Sequence, residues 1–272
     1  RVLQASIASR ANISTANVEP QSGHMQYIPK DQPDRLVNMR IETIPTAYGQ
    51  DAVIRMFNFD ESLLSIDKLG LDDFRRQQIE EIVSHPHGMV MVVGPTGSGK
   101  STTLYSIINA LNNPSNKILT LEDPIEIIIP GVSQIPVDTT GGQSFADRLR
   151  AVLRLDPDIV MVGEIRDVDT AKTAIQASIT GHLVLTTFHA SSAAAAFSRI
   201  IDMIGQNPIF ANAVRLVISQ RLVRRLDDSS KEEYEPDDTV KQWIRDNIGE
   251  LPDHVIRPDL DNIRLYRPVA SE

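Results

Sequence analysis

The 272-residue chain contains no cysteine, so it can form no disulfide, offer no thiol nucleophile and hold no cysteine-ligated zinc, which fits a reducing compartment. Long apolar runs are missing too. The longest are short blocks such as Met89 to Val93 and Ile159 to Val162, far below the roughly 20 apolar residues of a helical span. Contact with a membrane is therefore expected only through a partner. Basic charge is in deficit: 27 Lys and Arg stand against 36 Asp and Glu, a net charge of -9. That balance disfavours nonspecific attraction to phosphate backbones, so nucleic acid is not an expected partner. The chain opens on Arg1 without Met or a signal-peptide pattern, which reads as a fragment of a longer protein in the cytoplasm. A hydrophobic fraction of 41% and a charged fraction of 23% belong to a globular chain with a real core.

What is present changes texture along the chain. Positions 34–58 read as a hairpin, with Val37, Met39 and Ile41 alternating with Asn38, Arg40 and Glu42 before Pro45 to Gln50 turns into Ala52 to Phe57. From Leu71 the pattern becomes helical through Phe74, Ile79, Ile82 and Val83, and stops near His85-Pro86-His87-Gly88. A domain boundary is placed at about residue 60: positions 1–59 close a small N-terminal domain, 60–70 link, and 71–272 form a second domain. There, strands Met89 to Val93, Ile118 to Leu121, Ile159 to Val162 and Leu183 to Thr187 alternate with helices Lys100 to Leu111, Ser144 to Leu153, Asp169 to Ile179 and one after Ser191. That order predicts an α/β fold with a parallel sheet wrapped by helices. Strands apolar throughout are what a sheet buried on both faces requires. The segment Asp227 to Asp238, crowded with acids around Lys231, reads as an exposed loop or insertion.

The chemistry starts at Gly94-Pro95-Thr96-Gly97-Ser98-Gly99-Lys100-Ser101, a phosphate loop between a strand and a helix. Its glycines let successive amides point at phosphate oxygens at the positive end of the following helix. Lys100 would reach the β and γ phosphates and the Ser101 hydroxyl would ligate magnesium. Thr96, Gly97, Ser98, Gly99, Lys100, Ser101 and Thr102 are the expected nucleotide contacts. Strand Ile118 to Leu121 delivers Glu122 and Asp123 to its carboxyl end, and Glu126 follows after Pro124. These carboxylates could orient water or hold magnesium, and Glu122 is counted with the nucleotide contacts. The strand Ile159 to Val162 runs through Gly163 into Glu164, the placement of a Walker B acid. His182 and His189 bracket the strand Leu183 to Phe188, and spacing alone does not separate a structural histidine from a catalytic one. Arg40 and Arg55 would ordinarily be solvated strand residues, yet arginine supplied across an interface can neutralise a transferring phosphoryl group.

Three strings then carry a family resemblance: Leu119-Thr120-Leu121-Glu122-Asp123-Pro124-Ile125-Glu126, Asp156 to Asp167, and Thr180 to His189. They resemble the Asp box, Walker B and His box of the type II secretion and type IV pilus ATPases. Gln21-Ser22-Gly23-His24 and Arg40 to Gln50 followed by Arg55 are similar to the end of that family's second N-terminal domain, so the resemblance runs from about residue 10 to Leu226. The element from Ile44 to Arg55 and Gln220-Arg221-Leu222-Val223-Arg224-Arg225-Leu226 look more like assembly and secretion motors than retraction motors. The resemblance implies a RecA-like P-loop domain preceded by part of a small α/β domain. It further implies a Mg-ATP-hydrolysing homo-hexamer that powers type IV pilus assembly or type II pseudopilus extension. The motor would sit at the cytoplasmic membrane through an inner-membrane platform protein. Glu126 or Glu164 would activate water, His189 would lie near the nucleotide, and Arg40 and Arg55 would reach phosphate of their own or a neighbouring subunit. Gln50 replaces a usual Glu, Ser22 an Asp, and the four-cysteine zinc insertion expected after Leu226 is absent, which removes zinc from the expected cofactors. A DNA translocase and a nonhydrolytic nucleotide-binding scaffold are the alternative functions.

Overall fold

The computed structural model describes residues 11, 13, 19–30, 37–47, 49–57, 64–139, 142–205, 208–249, 259 and 263–269. Strands β1 (Gln21–Tyr27), β2 (Val37–Thr46) and β3 (Gly49–Phe57) form an antiparallel sheet in that order. The alternation read from the sequence is its two-faced pleat. Val37 and Ile41 turn inward, and Ala11 and Ile13 pack on Ile41. Expected-hairpin positions 34–36, 48 and 58 and linker positions 60–63 lie outside the described residues. Strand β1 was not expected, since Gln21, Ser22, His24 and Gln26 make it polar at most positions.

Helix α1 (Asp73–Val83) leads into β4 (Gly88–Val93), the strand before the phosphate loop. After it come α2 (Lys100–Leu111), β5 (Ile118–Glu122), β6 (Ser133–Pro136), α3 (Phe145–Leu153), β7 (Ile159–Val162) and α4 (Val168–Ile179). Strand β8 (Leu183–Phe188), α5 (Ala193–Ile204), α6 (Pro208–Ala213) and β9 (Val214–Ser219) complete the series. The strands make a six-stranded sheet in the order β6-β5-β7-β8-β4-β9, every neighbouring pair parallel. The parallel sheet and its crossover helices are those the sequence predicts. The edge strands β6 and β9 are additions to that expectation, and both are only half-buried or exposed along their length.

Burial explains the arrangement. Every residue of β4, β5, β7 and β8 is buried, as a sheet covered on both faces demands. In β4, Met89, Met91 and Val93 join one core with Phe145 and Leu149 of α3, Ala174 and Ile175 of α4, and Ile200 of α5. Val90 and Val92 face the other core, with Leu104, Ile107 and Ile108 of α2 and Ile79 of α1. Four helices start on side-chain caps: Asp72 accepts from the Arg75 amide, Ser144 from Asp147, Asp167 from Thr170 and Ser192 from Ala195. Each cap satisfies a first-turn amide that has no partner within the helix.

The chain divides into two compact units, Arg1–Arg221 and Leu222–Glu272. In the second, β10 (Lys231–Tyr234) pairs antiparallel with β11 (Leu265–Pro268), and α7 (Asp238–Gly249) lies between them in sequence. The acid-rich stretch is therefore not simply a loop. Its acids find partners: Glu232 accepts from Arg267 at 3.1 Å and Glu233 from Arg264 at 2.7 Å, while Lys231 sits 4.7 Å over the Tyr266 ring. Cross-strand pairs of this kind support a strand that carries little apolar surface. Among the described residues, no helix is long and apolar enough to cross a membrane.

Candidate active site

Parallel strands end along one edge, where sheets of this kind bind ligands. Strand β4 runs into the phosphate loop, β5 ends on Glu122, β7 leads to Glu164, β8 to His189 and β9 to Gln220. Residues scattered over more than a hundred positions thus share one rim.

The loop's shape depends on its glycines. Gly94 has a φ of 151°, and a Cβ there would lie 2.4 Å from the Gln220 carbonyl oxygen and 2.6 Å from Ser98 Oγ. Both approaches are too close to survive. Gly94→Ala is expected to cost about 1–3 kcal/mol of stability and to abolish ADP binding, read by thermal melting and calorimetry.

Helix α2 begins differently from the four capped helices. Its N-cap is Gly99, with a φ of 86° and no side-chain cap, so the first-turn amides stay available at the positive end of the helix. Ser98 Oγ is buried and without a hydrogen-bond partner in the described structure. Lys100 Nζ donates to the carbonyls of Gly94 at 3.1 Å and Pro95 at 2.9 Å, which holds the cation over the loop. Thr96 and Gly97 are exposed at its crest, and Ser101 and Thr102 are half-buried at the start of α2. Uncapped amides, an unpartnered hydroxyl and a poised lysine fit a polyphosphate. Ser101 could offer magnesium one hydroxyl oxygen, a hard donor of the kind that ion takes alongside phosphate oxygens and water.

Two expected acids meet at Lys100. Burial lowers the pKa of that lysine, and the charges of Glu164 and Glu126 work against the shift. Glu126 is half-buried. Burial, then the charge of Glu122, raises its pKa, while a hydrogen bond from Ser101 and the charge of Lys100 pull it down. Glu164 is held instead by Arg166, which donates to one carboxylate oxygen, and His189 Nε2 stands 3.7 Å from the other.

Glu122 has a different situation. It is only 3% exposed and receives hydrogen bonds from Tyr105, from Thr120 at 2.5 Å and from Gln134 at 3.0 Å. The Tyr105 hydroxyl also accepts from the Glu126 amide at 3.4 Å, so Glu122 and Tyr105 brace the turn that presents Glu126. Asp123 accepts from Thr139 and adds to the field on Arg166. Tyr105, Thr120, Gln134, Arg166 and Gln220 were not singled out from the sequence as site residues; each acts through contacts that spacing does not display.

The two histidines separate in space. His189 follows the carboxyl end of β8, where Arg199 donates to its carbonyl at 2.7 Å. His182 precedes the amino end, its ring against the Ala177 carbonyl at 3.1 Å, away from the rim. Gly163 has its would-be Cβ 3.0 Å from the Leu121 carbonyl oxygen, which disfavours any side chain. Arg40 and Arg55 are direct cross-strand partners on β2 and β3. Arg40 Nε donates to Glu42 at 2.6 Å, and Ser22 donates to the same oxygen at 3.3 Å. Among the described residues, no hydrogen bond or ion pair joins either arginine to the phosphate loop.

This sheet order, the loop at the end of an interior strand and the acids beside it define a P-loop nucleoside triphosphatase domain of RecA-like build. Comparison with known proteins sharpens the class. The family model described as "Type II/IV secretion system protein" matches residues 2–270, and the chain belongs to that family. The type II secretion system protein E of Xanthomonas campestris pv. campestris is 37% identical over 97% of this chain and 45% of its own length. That of Pseudomonas aeruginosa is 46% identical over 75% of this chain and 41% of its own. The chain thus spans less than half of either relative. Among solved structures, the pilus retraction motor PilT with bound ADP superimposes with a TM-score of 0.61 at 33% identity, covering 74% of this chain and 59% of PilT.

Proposed function

We propose that this chain is the ATP-hydrolysing part of a homo-hexameric motor that drives pilus assembly or pseudopilus extension. The observation that carries the proposal is the uncapped start of α2 behind a glycine loop that holds Lys100 over it, with Glu126 and Glu164 close enough for their charges to act on that lysine. The amides of Thr96 to Thr102 cradle the phosphates, and Lys100 moves from the loop carbonyls to the terminal phosphate oxygens. Ser101 would hold magnesium, which when bound would neutralise charge on the triphosphate. Glu126 takes the proton of the attacking water, because burial and the nearby Glu122 raise its proton affinity toward the range useful for a base. Glu164, held in place by Arg166, would orient the attacking water, with His189 beside it.

Arg40 and Arg55 place like charges directly opposite each other, an arrangement that an incoming phosphate relieves. We assign them to a composite site completed between subunits, presented by the domain that ends near residue 59. The motor is cytoplasmic and reaches the membrane through an inner-membrane platform protein. Mixing inactive Lys100→Ala chains with inactive Arg55→Ala chains tests this arrangement. Recovery of phosphate release is expected, since some interfaces pair an intact loop with an intact arginine; persistent inactivity despite subunit exchange assigns Arg55 to its own subunit or to the hairpin. Stimulation by single-stranded DNA would favour a translocase, and nucleotide binding without phosphate release a scaffold.

A further inference from the structure

Gln220 is the residue after β9, far from the phosphate loop in sequence, and it touches that loop near both of its ends. Its amide donates to the carbonyl of Val93 at 3.0 Å, where the loop begins. Its side-chain Nε2 donates to the Ser98 carbonyl at 2.7 Å, and its Oε1 accepts from the Thr103 hydroxyl at 2.7 Å. The Ser98 carbonyl can only accept, which fixes the nitrogen on that side and leaves the oxygen for Thr103. Ser98 and Thr103 flank Gly99 to Thr102, the stretch whose amides face the phosphates. Thr103 is 3% exposed and Ser98 3%, so neither bond is readily replaced by water. The Gln220 carbonyl also occupies the space a Cβ on Gly94 would need.

We infer that Gln220 is a positioning residue for nucleotide binding: one side chain clamps both ends of the amide-bearing turn and holds it open to phosphate. The inference rests on the nucleotide reading above. An amide of this length supplies the required donor and acceptor together. Alanine removes both bonds; asparagine is one carbon too short to span them; glutamate accepts from Thr103 but, ionised, sets a carboxylate against the Ser98 carbonyl.

The test measures ADP affinity with magnesium by calorimetry on the 272-residue chain, with melting of the nucleotide-free protein recorded beside it. Gln220→Ala is expected to weaken ADP binding about tenfold and to lower kcat/KM by a similar factor. Gln220→Asn should fail to rescue it. Thr103→Val, which removes one anchor and keeps the volume, is expected to weaken binding about threefold, with no further loss in the double variant. Native-like ADP affinity in Gln220→Ala overturns the inference, even if its melting temperature falls, because the role is then structural. Should Gln220→Ala fail to fold, native-like affinity in Thr103→Val overturns it equally. A native chain that binds no ADP overturns the nucleotide reading itself, and this inference with it.

Discussion

Lys100→Ala is expected to abolish measurable ATP turnover while the chain still folds. Among the described residues, Nζ bonds to the carbonyls of Gly94 and Pro95, and neither core depends on the lysine. Its removal frees the carbonyl of exposed Pro95 and that of buried Gly94, so the melting temperature should fall only slightly. The charge matters in the transition state, where the transferring phosphoryl group spreads its negative charge over oxygens within reach of an ammonium. Losing one such stabilising donor costs at least about a hundredfold in kcat. Phosphate release at saturating ATP, together with circular dichroism and a melt, measures both halves. Turnover within a few-fold of native would show that the loop is not the hydrolytic site.

The acids should fail in a different way. Glu126→Gln and Glu164→Gln keep shape and remove charge, so each is expected to slow hydrolysis by about 10²–10⁴-fold while ADP binds nearly as before. Such a split between kcat and affinity marks interactions made chiefly in the transition state. The pH profiles distinguish the two residues. Burial and Glu122 raise the pKa of Glu126 against the opposing pull of Ser101 and Lys100. Activity of the native chain should therefore fall on the acid side as Glu126 takes a proton. Residual activity of Glu126→Gln should lose that acidic limb, whereas Glu164→Gln should keep it. A Glu126→Gln enzyme with a native rate would transfer the role of base to Glu164.

Much of this site was legible in the sequence because its parts are local. Gly94 to Ser101 is a contiguous string, and Glu122, Glu164 and His189 each follow an apolar strand whose end is plain from burial-type residues. Helix starts at Ser144, Asp167 and Ser192 are capped by residues three positions from the amides they satisfy, a distance sequence patterns can register. The edge strands were not legible. β6 contains Pro136 and is exposed at both ends and half-buried between them, and β9 has Arg215 among its apolar positions. Neither carries the continuous burial that betrays an interior strand. Roles that depend on distant contacts were hidden for the same reason: Gln220 meets Thr103 across 117 positions, and Tyr105 meets Glu122 across 17. The histidines differ only in which end of β8 they occupy, which matters once the direction of the sheet is known.

The way β4 feeds two cores at once limits how this domain can yield under load. A slip of one residue would exchange Met89, Met91 and Val93 with Val90 and Val92, sending each set into a cavity shaped for the other. The same slip would break the register with β8 on one side and β9 on the other. Interior strands locked in this manner behave as a stiff plate, so strain entering through the phosphate loop cannot be absorbed by sliding beneath it. Displacement must instead be taken up by the loops that join the strands at the rim.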